Sequence, residues 1–183
     1  MDRFEVCQHK WSMLGNNTCG LVILNDSKYG ISAKSDKLSL TLLKSAMHPD
    51  FGADKGMQKF VYSIMSVGEP LCESDVCRKA YELNCPVVVK NGYLHQASFV
   101  NIDNPAVIMD TLKTAEDGSG NIIIRMYESR NSYAKACVSL NSEIKSVYVT
   151  DMLENNISEI EISDALFNLE LKPFEVKTIR IVK

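Results

Sequence analysis

Period-two alternation of apolar and polar residues, interrupted at short intervals by turn formers, constrains this chain more than any other feature. Leu38, Leu40 and Leu42 alternate with Ser39 and Thr41, and Phe60, Tyr62 and Ile64 alternate with Lys59 and Ser63. Successive side chains of a strand point to opposite faces, so each run predicts a strand with one buried face. From about Ala97 strand follows strand: Ser98 to Ile102, Ala106 to Lys113, Asn121 to Glu128, Ala134 to Leu140, Lys145 to Thr150, Ile157 to Ile162 and Phe174 to Val182. Asp117-Gly118-Ser119-Gly120 is a hairpin connection, and Ile122, Ile124 and Met126 share a face opposite Arg125 and Tyr127. The last strand changes parity, with Phe174 and Val176 on one face and Ile179 and Ile181 on the other. That predicts a bulge, or a strand buried on both sides. Turn signals at this spacing suit a sandwich of roughly immunoglobulin-like size.

One segment changes period. Val76, Ala80 and Leu83 recur at i, i+4 and i+7, with Ser74 and Asp75 as cap candidates and Pro86 beyond the end, which predicts a short amphipathic helix. A strand over Val87 to Val89 and an Asn91-Gly92 turn follow. Ser45 to Gly56 is too polar and too rich in breakers for an element and predicts a long loop. The first 70 residues offer three or four strands whose edges an isolated sheet would leave unpaired. Something upstream is expected to complete them.

Composition narrows the function. At 183 residues, 45% hydrophobic and 23% charged, the chain is globular, and it is too short for a barrel enzyme. Its 20 Lys and Arg against 23 Asp and Glu leave a net charge of -3 and no basic run, which excludes nucleic acid as a default partner. Apolar runs such as Leu21 to Leu24 and Pro86 to Val89 fall far below the roughly 20 residues that span a bilayer. With no signal-peptide layout at the N-terminus, the expectation is a soluble, cytoplasmic protein without membrane partners. The six loosely spaced cysteines are expected as free thiols, and Asn16-Asn17-Thr18 and Asn156-Ile157-Ser158 as turns.

Self-announcing chemistry is missing. There is no Gly-rich phosphate loop, no Gly-x-Ser-x-Gly elbow and no His-Glu-x-x-His. His48-Pro49-Asp50 has a ligand-like spacing but no third ligand nearby, so it is a surface loop. Trp11 could stack on a sugar, although a core position suits its size better.

Specific strings go further. Arg3 to Trp11 (RFEVCQHKW) and Leu24 to Gly30 (LNDSKYG), followed in order by Ala80 to Asn84, Ser98 to Val100, Ala115 to Gly118, Arg125 to Glu128 and Lys172 to Arg180, closely resemble the C-terminal half of glycoside hydrolase family 38 α-mannosidases. The resemblance spans essentially the whole chain. It implies an all-β fold: residues 1–72 as the tail of a large, galactose mutarotase-like supersandwich, 73–96 as a linking helix and strand, and 97–183 as a small immunoglobulin-like sandwich. It also implies a C-terminal fragment whose Met1 is not the natural first residue.

In such a family the parent enzyme is a retaining exo-mannosidase, whose N-terminal barrel holds zinc, an Asp nucleophile and a second carboxylic acid. Two carboxylates about 5 Å apart are the general requirement of that chemistry. This chain, by the same implication, has no catalytic residue and no cofactor of its own; zinc belongs to the missing catalytic domain. Its expected partners are that domain, a mannose-containing oligosaccharide and, as a further reading, a second copy. The resemblance brings loops of this region toward the sugar pocket, which makes Asn25, Asp26, Lys28 and Tyr29, just after an apolar strand, and Lys44 candidate pocket residues. Turn chemistry explains the first four equally, with Asn25 and Asp26 bonding the backbone and Gly30 left-handed. Ser27, where many relatives carry Cys, and the divergent Ser12 to Asn17 depart from the family pattern. The competing reading is a self-standing β-sandwich that binds carbohydrate or a protein.

Overall fold

The structure is a computed structural model that describes residues 4–16, 18–71, 74–93, 95 and 97–183, and it is almost entirely β. The chain divides into two compact units, Met1–Asn91 and Gly92–Lys183.

The first unit contains β1 (Val6–Cys7), β2 (Trp11–Gly15), β3 (Gly20–Asn25), β4 (Gly30–Lys34), β5 (Lys37–Leu40), β6 (Tyr62–Val67) and the helix α1 (Val76–Asn84). They form two three-stranded antiparallel sheets, ordered β1-β4-β5 and β2-β3-β6. The apolar run of β3 sends Val22 and Leu24 to one face, where they meet Val76 and Ala80 of α1 together with Val67. Trp11, Met13, Met65, Leu71 and Leu83 close the margins of this cluster. The helical stripe foreseen in the sequence is therefore the one that packs on the sheet. Of the two expected cap residues Asp75 is the N-cap, though without a side-chain cap bond, and Ser74 Oγ donates instead to Leu71 O at 2.9 Å. The helix that the sequence puts in the segment 73–96 lies inside the first unit, because its apolar stripe is buried on β3.

Val87 to Val89 do not form a strand. They are 88%, 79% and 87% exposed, and no described strand runs beside them to take up their backbone bonds. A strand exists only as part of a ladder, so β propensity alone leaves this triplet extended and unpaired.

The second unit is a sandwich. β7 (Val100–Ile102), β10 (Ala134–Leu140) and β13 (Leu166–Leu171) make a sheet ordered β13-β10-β7, facing a five-stranded sheet ordered β12-β11-β14-β9-β8. The latter comprises β8 (Val107–Thr114), β9 (Ile122–Glu128), β11 (Ser146–Thr150), β12 (Asn156–Ile160) and β14 (Val176–Val182). Ile122, Ile124, Met126, Val147, Ile179 and Ile181 from one sheet meet Ala136, Val138, Phe167, Leu169 and Leu171 from the other. Each large aliphatic side chain fully buried here contributes about 1.5–3 kcal/mol relative to exposure.

Two details of this unit depart from expectation. β13 was not foreseen, although Phe167, Leu169 and Leu171 alternate with Asn168 and Glu170 and are all buried. The parity change near the C-terminus is not a bulge in β14, whose register to β9 and β11 is unbroken. Phe174 lies in the preceding turn at φ 56°, and on the face opposite Ile179 and Ile181 only Thr178 is buried while Val176 is exposed, so the parity change comes from where the strand begins and not from a bulge. Two irregularities fall elsewhere, between Met109 and Thr111 of β8 and between Val149 and Thr150 of β11.

Candidate functional site

The turn joining β3 to β4 is built from its own polar side chains. Asn25 ends β3 nearly inaccessible to solvent, donates its backbone N–H to Lys10 O at 2.9 Å and accepts the Lys28 N–H on Oδ1 at 2.8 Å. Its carbonyl accepts Asn84 Nδ2 at 3.1 Å, which ties the turn to the end of α1. Asn25 Nδ2 itself is buried without a partner. Asp26 exchanges two bonds with Val61, donating its N–H to the carbonyl and accepting the Val61 N–H on Oδ1, each at 3.1 Å. The Val61 N–H and the Ser27 hydroxyl together hold the Asp26 carboxyl below its ordinary range.

Asp26, Ser27 and Tyr29 are exposed, and Lys28 is half-buried. Lys28 Nζ lies 4.8 Å from the centre of the Phe60 ring, a cation-π contact. Tyr29 is half exposed and stacks on His9 with ring centres 5.5 Å apart and planes 10° from parallel. Gln8 fixes both residues from below, its backbone N–H on Tyr29 O at 2.7 Å and its Nε2 on Lys28 O. The structure thus brings Asn25, Asp26, Lys28 and Tyr29 together. Lys44 is exposed on the loop after β5, and no hydrogen bond or ion pair joins it to the turn.

Gly30 corrects the turn reading. It is not left-handed; it is the first residue of β4, and a Cβ there would overlap Glu5 Oε1 and crowd Thr41 Cβ at 3.2 Å. The Glu5 carboxylate, which accepts the Thr41 hydroxyl, sits against the Gly30 backbone, so any larger residue there would have to push that side chain aside. Beside it a shallow groove of about 280 Å³ is lined by Glu5, Val6, Cys7, Tyr29 and Gly30. A roomier groove of about 540 Å³ lies away from this turn, among Gly15, Cys19, Asp36 and Ser66, and carries less recognisable chemistry.

Trp11 is half-buried against the β3 and α1 cluster rather than presented to solvent. In the 45–56 loop, His48 packs edge-on to Phe51 at 5.2 Å, and Asp50 Oδ1 accepts the Gly52 N–H at 2.7 Å. Among the described residues no three His, Cys, Asp or Glu side chains converge as a group that could hold a metal. The described cysteines Cys7, Cys19, Cys77, Cys85 and Cys137 form no disulfide. No described helix is long and apolar enough to cross a membrane.

A charged cluster in the second unit was missed, since its members are scattered in sequence. Lys113 and Arg180 flank the fully buried Ile123 in register. Glu154 bridges them, its Oε1 2.7 Å from Lys113 Nζ and its carbonyl accepting Arg180 Nη2 at 2.9 Å. Arg180 Nη1 also pairs with Asp117 at 2.6 Å. Lys113 holds the Glu154 carboxyl below its ordinary range, and bonds from Ser119 and then Arg180 push Asp117 well down. Glu128, fully buried, accepts the N–H groups of Arg130 and Phe174 and the Ser132 hydroxyl. Both clusters pin loops to strands, which is a structural task, although among the described residues the buried Arg180 Nε finds no acceptor.

Known proteins match this architecture. The model of the glycosyl hydrolases family 38 C-terminal domain matches residues 1–52, and that of the family 38 C-terminal β-sandwich domain matches residues 106–179. The chain belongs to the C-terminal region of glycosyl hydrolase family 38. Within that family its relatives are α-mannosidases: it is 30% identical to human α-mannosidase 2C1 and 32% identical to α-mannosidase G of Dictyostelium discoideum, each over 98% of this chain. It spans 18% and 17% of their respective lengths. The solved structure of a family 38 protein from Enterococcus faecalis superposes with a TM-score of 0.75 over 96% of this chain and 22% of its own, at 18% identity, and shows the shared fold.

Proposed function

We propose that this chain is the non-catalytic C-terminal β region of an α-mannosidase, acting in the cytoplasm and packing against the catalytic domain of the same polypeptide. The retaining hydrolysis of terminal α-mannosides, with its zinc, belongs to that other domain. The observation that carries the reading is the alignment of 98% of the chain with less than a fifth of each α-mannosidase. The exposed apolar face of the β2-β3-β6 sheet supports it: Leu21, Tyr62 and Ile64 lie in neighbouring register on one side and are 46%, 50% and 60% exposed. A face of that kind suits burial against another domain.

In this reading the β3–β4 turn shapes the sugar pocket of the parent enzyme. The Asp26 carboxylate accepts a hydroxyl proton, Lys28 donates to a hydroxyl oxygen, Tyr29 gives an apolar wall and Lys44 approaches from the following loop. Asn25 holds the turn and touches no sugar, consistent with its burial. The test is turnover of an aryl α-mannoside: the full-length parent cleaves it, and loses activity on Lys28→Ala, while this chain alone is inactive with added zinc. Turnover by the pure chain would sink the reading.

A further inference from the structure

The groove beside Gly30 is not explained by turn architecture. Tyr29 forms one wall and the Glu5 carboxylate lies against the glycine, while His9 stacks on the tyrosine ring and is not among the groove's lining residues. A flat aromatic face beside a carboxylate acceptor suits a sugar, whose C–H groups pack on the ring while its hydroxyls donate to oxygen. A single aromatic wall is a poor cage for an organic cation, which needs several ring faces. Taking the sugar class from the reading above, we propose that this groove is a monosaccharide subsite: a neutral pyranose stacks on Tyr29, one of its hydroxyls donates to the Glu5 carboxylate, and His9 is the positioning residue that holds the tyrosine ring.

The experiment is a titration of this chain with methyl α-D-mannopyranoside, followed by amide NMR shifts. Saturable shifts are expected at Val6, Cys7 and Gly30. Tyr29→Ala weakens binding about tenfold, corresponding to the upper end of an aromatic contact, and Glu5→Gln weakens it by a similar factor. Gly30→Ala weakens it by a comparable factor, because its Cβ pushes the Glu5 carboxylate aside. Tyr29→Phe and His9→Phe keep the stacked faces and retain binding, whereas His9→Ala weakens it, a pattern that loss of folding would not give. Absence of saturable shifts in the groove, equal binding by Tyr29→Ala, or displacement of the sugar by tetramethylammonium would overturn the subsite. An inert chain beside a full-length enzyme that depends on Lys28 would reject the subsite and leave the pocket reading standing.

Discussion

The two units of this chain use the same antiparallel strands and bury them to different degrees. The second unit sets a three-stranded sheet on a five-stranded one, with fifteen buried apolar residues in a single cluster. The first unit has two three-stranded sheets, and among the described residues five buried apolar side chains gather between β3, β6 and α1. Its apolar side chains are not fewer; Leu21, Tyr62 and Ile64 are simply left outside. A two-sided core needs a second layer, and where the chain supplies both layers it closes on itself. In the first unit α1 covers one face of the β2-β3-β6 sheet and leaves Leu21, Tyr62 and Ile64 exposed on the other, where a neighbour can bind.

The largest expected effect separates the cores directly. Leu169→Ala in the sandwich costs about 3–5 kcal/mol, because the tightly filled interior relaxes little around the cavity, while Leu24→Ala costs about 2 kcal/mol, since half-buried neighbours can move in. Trp11 is the one tryptophan of the sequence and lies in the first unit, so its fluorescence follows that unit in urea while far-UV circular dichroism, dominated by strands of both, follows the whole. Leu169→Ala moves the dichroism transition and leaves the Trp11 midpoint in place. Coincident shifts by both probes would show that the units unfold as one and would break the comparison.

Legibility in the sequence followed the same division. The sandwich strands were readable because a sheet with one core face imposes period two, as Ile122, Ile124 and Met126 illustrate. β13 had the same signal in Phe167, Leu169 and Leu171 and could have been found by that rule. Val87 to Val89 misled because strand propensity says nothing about whether a partner strand is present. At the site, the residue types of the β3–β4 turn were legible and their geometry was not. The Glu5 contact with Gly30 and the stack of His9 on Tyr29 join positions 25 and 20 residues apart, and no local pattern encodes such meetings.

Acid gives a middle-sized effect, and the groups that hold it are distributed unevenly. Asp117, Asp151, Glu154 and Glu170 in the second unit all have lowered carboxyl values, held down mainly by hydrogen bonds from Ser119, Asn155, Lys113 and Lys135 respectively. In the first unit Asp26 is the described carboxyl so shifted. A carboxyl whose folded value is depressed stabilises the fold fully above its ordinary value, 3.8 for Asp and 4.5 for Glu, and that contribution is lost as pH falls toward the folded value. Between pH 5.5 and pH 3, the dichroism midpoint in urea therefore falls further than the Trp11 midpoint. A larger acid loss at Trp11 would reverse the assignment of electrostatic stabilisation to the sandwich.

The smallest expected effect tests what the open face of the first unit is for. Ile64 is 60% exposed, directly opposite Ile23 in the ladder, and sits between Leu21 and Tyr62 on the same side of the sheet. An exposed side chain has little burial to lose, so Ile64→Glu changes the stability of this chain by no more than about 0.5 kcal/mol, measured from the Trp11 midpoint. In a full-length parent whose catalytic domain covers that face, the same carboxylate would be driven into an apolar contact without a partner, at a cost of about 2 kcal/mol or more. The difference between the two proteins is the informative quantity. A mutation neutral in both would show that the face stays in solvent, and the contrast between a closed sandwich and a sheet with one face uncovered would then have to be drawn elsewhere.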